Sequence, residues 1–442
     1  MARSTRARRR GIVAATATLL LFGLTPSAAA HPAGAPASGD AGVVRTWNEI
    51  AWHTIADMDK GAKPPPVAQL YLGLVSTAVY NAVVSIEGGF RPTLPQQRIR
   101  GDASSDVAAA TAAHDVLASF FPASAAALDT EYATWLAGVP QGEARERGLR
   151  AGHEAAANLI ASRENDGRDA PVTLDREANP AAGVWVPTAS GEWTTAWLGF
   201  TKPILIHSTR RFAPSGPDPL DSPEYSADFD EVKLMGAATG SGRSEADTAL
   251  ALFWWDNPPR QYQDAMRDRS VRHGMDIVET ARMFAAANAS AADTTITCWR
   301  AKYDFNYWRP ETAIRQADRD GNPATTADPA WNSLRPAPPY PEYPSGHVCV
   351  SSGVAQALEN LFGEGEVDMI IRSLTPEVTG ATRPYRSEEA WLDDVTDARI
   401  FLGIHFRRAD VNGAELGRRV AEFVDANYFN CRAPGQCKQE GR

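Results

Sequence analysis

Three short stretches in the last third of the chain combine permanent cations, imidazoles and a glycine-flanked serine. These are the residue types that hold a small oxyanion and move protons on it. The first stretch, residues 293–310, carries Lys302 and Arg309 seven positions apart, with Pro310 directly after. On a continuous helix that spacing puts both side chains on one face, about 10 Å apart along the axis. Trp299, Phe305 and Trp308 surround them. A helix aromatic on most sides is buried rather than a solvated basic stripe, and buried cations need a partner. The second stretch is Tyr340-Pro341-Glu342-Tyr343-Pro344-Ser345-Gly346-His347, followed by Val350, Val354, Leu358 and Leu361 at helical spacing. Ser345 reads as the N-cap of that helix, behind a proline that holds the incoming chain extended. Gly346 lets an anion approach the free N–H groups, and His347 could exchange a proton with it. Read plainly, this is also a capped core helix with a histidine in its first turn. The third stretch sets Arg399 and His405 among apolar residues. Six positions place them about 120° apart on an ideal helix, so periodicity alone does not aim both at one target.

These side chains need a helical scaffold, and the rest of the chain reads as one. Residues 43–58 and 66–86 have helical periodicity, the first with Trp47, Ile50, Ala51, Ile55 and Met58 on one face. Alanine-rich helices follow over 107–121, 124–137 and 142–163, joined by Pro or Gly turns. Further helical patterns cover 222–235, 244–255, 260–273 and 277–287. Residues 165–204 lack a sustained period and carry aromatics and prolines, which suggests a long ordered loop that shapes a pocket. Residues 67–86 are the most apolar, but Gln69, Ser76, Thr77 and Asn81 interrupt them, as in a buried helix rather than a membrane span.

Composition narrows the partners. The 442 residues carry a formal net charge of −10 with the two signs interleaved, which argues against nucleic acid. Arg3, Arg6, Arg8, Arg9 and Arg10, an apolar stretch over 11–24, and Ala28-Ala29-Ala30 before His31 read as an export signal over residues 1–30. Arg9-Arg10-Gly11-Ile12-Val13 is also compatible with twin-arginine export. The expected product is a secreted protein with a disordered linker over 31–42, one helical domain over 43–430 and a tail over 431–442. Cys431 and Cys437 could close a small loop, and Cys298 and Cys349 flank the motifs and could be bridged or free. His53, His114, His153, His207 and His273 show no metal-ligand spacing and read as structural or surface residues.

Taken in order, Lys302 to Pro310, Pro344 to His347 and Arg399 to His405 resemble the signature of the vanadium-dependent haloperoxidase and type-2 phosphatidic acid phosphatase superfamily. The helical texture, Trp299, Trp308 and the Pro-Glu-Tyr before Pro344 are similar to its secreted bacterial haloperoxidase branch. The resemblance implies an all-α fold of paired four-helix bundles, an N-terminal one over about 43–220 and a site-bearing one over about 221–430. It implies vanadate held by Lys302, Arg309, Ser345, Gly346 and Arg399, with His405 as axial ligand and His347 moving protons. Trp299 and Tyr340 resemble positions on the halide side. Hydrogen peroxide and halide are then the substrates. A secreted acid phosphatase would use the same cage for phosphate, with His405 as nucleophile and His347 as acid. A non-catalytic helical binding protein is the third reading. Ala398 stands where many phosphatases have Ser, and Ala409 where they have Asp, with Asp410 one residue late. Both departures lean away from phosphatase.

Overall fold

In the computed structural model the described residues are 39–174, 180–187 and 191–432. The export signal, residues 31–38 of the linker, Cys437 and the tail from 433 lie outside them. Among the described residues there are thirteen α-helices and one small hairpin. The first helix, α1 (Ala41–Ile55), begins inside the expected linker because Asp40 caps it, its carboxylate accepting from the Gly42 N–H. The helix also ends early, so Met58 falls in the next 3-10 turn and is 84% exposed instead of buried. Pro65 opens α2 (Pro65–Glu87) at a position where its missing N–H costs nothing. Of the described helices α2 alone is long and apolar enough to cross a membrane, and that stretch is entirely buried in protein.

Small residues set how closely the next helices pack. α3 (Ser105–Phe120) lies against α5 (Glu143–Ser162), with α4 (Ala125–Ala137) beside α3. A Cβ at Gly152 would come within 2.5 Å of Thr111 Cβ, so only glycine permits this approach. His114 ties the three helices together. Its ring stacks on Tyr132 at 4.4 Å, and its nitrogens bond Asp115 and Asp129 at 2.9 Å each, while His153 reaches the other Asp115 oxygen at 2.6 Å. Burial opposes the His114 cation, but its hydrogen bonds to the two carboxylates outweigh burial and raise its pKa. A raised folded value stabilises fully below the unfolded pKa of about 6.5 and is lost as pH climbs through the folded one. His114→Gln should therefore lower the melting temperature by about 1–3 °C at pH 6 and by less at pH 8.5. Equal losses at both pH values would refute the charge account.

After α6 (Pro223–Met235), α7 (Glu245–Phe253) and α8 (Pro258–Arg272) comes α9 (Ile277–Phe305), the longest helix. A capping box between Asp276 and Glu279 starts it. It packs on α2 and on α11 (Gly346–Phe362), and α11 packs on α13 (Arg407–Asn427). Midway, buried Asp293 accepts the backbone N–H groups of Ile204, Leu205 and Ile206 at 2.5, 2.7 and 2.8 Å, pinning the end of the long loop. Asn306 in the left-handed region ends α9, and Pro310 opens α10 (Pro310–Arg315). Lys302 and Arg309 thus do not share one helical face: the chain breaks between them, and Pro310 starts a helix instead of ending one. Likewise α12 (Glu388–Phe401) stops before Gly403, whose φ of +77° turns the chain and leaves His405 outside any helix. The hairpin, β1 (Met369–Arg372) antiparallel to β2 (Thr382–Tyr385), was not anticipated, because four-residue strands carry too little alternation to register.

Candidate active site

Some of the motif residues meet at one cavity of about 300 Å³, while Lys302, Arg309 and Ser345 are buried outside its lining. Gly346 and His347 at the start of α11, Arg399 at the end of α12, His405, Trp299 and Tyr340 line it. Arg309 lies behind His405, with one Nη1 donating to the Ile404 carbonyl at 2.8 Å and to His405 Nε2 at 3.1 Å. Its Nε donates to the Tyr340 carbonyl at 3.0 Å. Arg399 donates to the Trp254 carbonyl at 2.8 Å and meets His347 Nδ1 at 3.0 Å. A guanidinium only donates, so these two contacts assign the imidazole protons. His347 keeps its proton on Nε2, which is buried without a partner. His405 keeps its proton on Nδ1 and turns the Nε2 lone pair toward Arg309.

Glu342 holds that tautomer, and sequence reading missed it. Its Oε1 lies 2.8 Å from His405 Nδ1 and also accepts the Phe406 N–H at 3.0 Å. The carboxylate is completely buried, and burial pushes its pKa up to about 8 against the pull of Arg309 and Lys302. Burial, then the cations Arg309, Lys302 and Arg399, drive His405 well below its ordinary value. Burial and Arg399 do the same to His347. Both rings are therefore neutral at physiological pH. The signal for Glu342 was the carboxylate inside an otherwise apolar Tyr-Pro-Glu-Tyr-Pro run. Asp410, whose shifted position had been the open question, does not reach His405; it is buried behind Ser345.

Lys302 serves the loop. Its Nζ donates to the carbonyls of Pro341, Glu342 and Pro344, using all three N–H bonds of an ammonium. Burial lowers its pKa to about 8. Its charge thus stands directly behind Gly346, where a Cβ would meet Lys302 Cε at 3.6 Å. Ser345 occupies the N-cap position but makes no cap bond; its hydroxyl sits against the Asp410 carboxylate, short of a well-formed hydrogen bond. Burial lowers the Arg399 pKa to about 10, so it too stays cationic. Cys298 and Cys349 are free thiols, both buried, and Cys298 Sγ donates to the Pro344 carbonyl at 3.7 Å.

Besides the acceptor oxygens Glu342 Oε2 and Asp410 Oδ1 and Oδ2, four buried donors in this cluster lack a partner: Arg309 Nη2, Ser345 Oγ, His347 Nε2 and Arg399 Nε. Unpaired buried groups of this kind are costly, and here they come from three separate segments. Cationic N–H donors, a hydroxyl and a glycine-opened helix start are the donor set for a tetrahedral oxyanion such as vanadate. The residues fit that group.

Comparison with known proteins places the chain among helical relatives. Residues 282–431 match the family model described as the VCPO second helical-bundle domain. Vanadium chloroperoxidase of Curvularia inaequalis is 26% identical over 279 residues, which is 46% of this chain and 45% of that protein's length. The match thus spans less than half of the fungal protein. The first bacterial vanadium-dependent iodoperoxidase superposes with a TM-score of 0.75 at 21% identity, over 90% of this chain and 98% of its own. A holo bacterial vanadium-dependent chloroperoxidase superposes at 0.68 and 20% identity, over 88% and 97%. The likenesses to the solved structures establish the helical fold, and the family model shows that residues 282–431 are similar to the second helical-bundle domain that it describes.

Proposed function

We propose that the protein is a vanadate-dependent haloperoxidase that oxidises halide with hydrogen peroxide to a hypohalous acid equivalent. The observation that carries this reading is that His347 and Arg399, each with an unpartnered buried donor, line one cavity with His405, whose Nε2 lone pair Arg309 holds at 3.1 Å. Arg309, Ser345, Gly346 and Arg399 would hold the oxyanion by hydrogen bonds, with Lys302 adding charge through the loop it fastens. His405 Nε2 would bind the central atom once it exchanges its 3.1 Å contact with Arg309. Vanadate, when bound, supplies the Lewis acidity that opens a peroxide oxygen to attack by halide. His347, neutral and carrying its proton on Nε2, would donate a hydrogen bond from that N–H to an oxygen of the bound group. Export rests on the N-terminal sequence, and the division into bundles near residue 220 accompanies the proposal.

Glu342→Gln tests the support of His405. The amide keeps the shape and an acceptor oxygen but can never take on the negative charge that Glu342 gains above its pKa of about 8, so the effect is read at pH 9. Orthovanadate affinity, titrated by calorimetry, should fall about 10–100-fold with little change in melting temperature. Unchanged affinity would remove Glu342 from the site. The phosphatase reading shares the cage and His405, since a carboxylate on Nδ1 would also steady a nucleophile. Bromide oxidation that requires vanadate and peroxide supports the first reading; phosphate-ester hydrolysis blocked by vanadate would replace it with the second.

A further inference from the structure

A second, small cavity lies against Glu342. Its volume is about 10 Å³, and it shares no lining residue with the larger cavity that His347 and His405 face. Tyr225, Asp228, Tyr307, Glu342, Phe406 and Arg408 are among the residues that line it. We infer that this cavity is a binding site for one ordered water molecule that bridges Glu342 Oε2 and the Tyr225 hydroxyl, and that Tyr225 is thereby a positioning residue for His405. The bearing on vanadate rests on the haloperoxidase reading; the water site does not.

Size selects the ligand. A single water needs about 10–15 Å³, so one fits, whereas a second water or an organic molecule does not. Among the described residues no group of three or more His, Cys, Asp or Glu side chains is placed to hold a metal ion, which favours water over a cation.

The polar groups place it. Glu342 is completely buried, and its two oxygens are used unequally. Oε1 accepts from His405 Nδ1 at 2.8 Å and from the Phe406 N–H at 3.0 Å, whereas Oε2 is buried without a protein partner. Tyr225 is 2% exposed, and its hydroxyl is buried without one as well. Phe229 and Phe406 pack on its ring at centroid distances of 6.0 and 5.7 Å, so the hydroxyl cannot swing elsewhere. Two such atoms at a cavity of one water's size are costly unpaired, and a bridging water satisfies both. Asp228 and Tyr307 supply the remaining contact, since a buried water ordinarily makes about three. Water also suits Glu342 in either form, donating to a carboxylate or accepting from a carboxylic acid. The Arg408 side chain is 40% exposed and lines the same cavity, so water enters from the surface without crossing the larger one.

Oε2 matters because Oε1 sets the His405 tautomer. A carboxyl held by one oxygen turns easily about its last bond; held by both, it has one orientation, and so has the ring it faces.

Tyr225→Phe keeps the ring and removes the hydroxyl. In the full chain carrying isotope-labelled histidine, without vanadate, the nitrogen resonances of the His405 ring should shift. Orthovanadate affinity, titrated by calorimetry, should fall about threefold or more, less than for a direct partner of the ring. Unchanged His405 resonances and affinity would overturn the positioning role even beside a lower melting temperature, since lost packing alone moves neither. A crystal structure of the full chain should show one water within hydrogen-bond distance of both Glu342 Oε2 and the Tyr225 hydroxyl. Density without that water would overturn the site. A parent chain that binds no orthovanadate defeats the haloperoxidase reading, while the density and the His405 resonances still decide the water site.

Discussion

His405→Ala should reduce vanadate- and peroxide-dependent bromide oxidation to background and weaken orthovanadate binding by at least about 100-fold. The ring offers the one imidazole lone pair in the cluster that a fixed tautomer turns inward, because Glu342 takes the Nδ1 proton. No other described side chain stands ready to replace it. Removing the ring leaves Glu342 Oε1 bonded to the Phe406 N–H and Arg309 Nη1 bonded to the Ile404 carbonyl, so both neighbours keep a partner. The fold should therefore survive, with a loss of about 2–4 kcal/mol from the vacated space. Imidazole added to the variant should restore part of the vanadate affinity, which separates a missing ligand from a damaged fold. Oxidation that persists at more than a tenth of the parent rate in the variant would defeat the role given to His405.

The second large effect is on stability. Asp293→Ala deprives three consecutive backbone N–H groups, at Ile204, Leu205 and Ile206, of their acceptor. Each buried donor left unpaired costs about 1–3 kcal/mol, though water entering the space softens the sum. A total of about 3–5 kcal/mol is expected, read as a fall in melting temperature of about 5 °C or more. Asn should serve little better, since turning its amide N–H group toward N–H donors opposes like dipoles. A melting temperature within 1 °C of the parent would show that the loop is held by something else.

Much of this was legible because it depends on local chemistry. The apolar step of α11, the Pro-Ser-Gly-His start and the aromatic flanks of Lys302 each report burial and helix starts within a few residues. What escaped depends on where chain breaks fall. Seven residues separate Lys302 from Arg309 whether or not Asn306 adopts a left-handed turn, and periodicity does not sense that turn. The same holds for Gly403 before His405. The partnership of Glu342 with His405 crosses 63 positions, so no spacing rule reaches it. Lys302, read as a donor to the oxyanion, instead spends its N–H groups on three backbone carbonyls, which have no signature in the residue types.

The concealed sulfhydryls of Cys298 and Cys349 bear on how long such a catalyst lasts. Strong halogen oxidants consume sulfur before most other side chains, and access governs which sulfur is lost. Both cysteines are wholly enclosed, so damage there requires the core to open first. Among the described residues Met58 is the exposed sulfur, on a turn where conversion to the sulfoxide disturbs no packing. Under the proposed haloperoxidase reading, stray oxidant would meet Met58 at the surface while the two thiols beneath the site stay reduced.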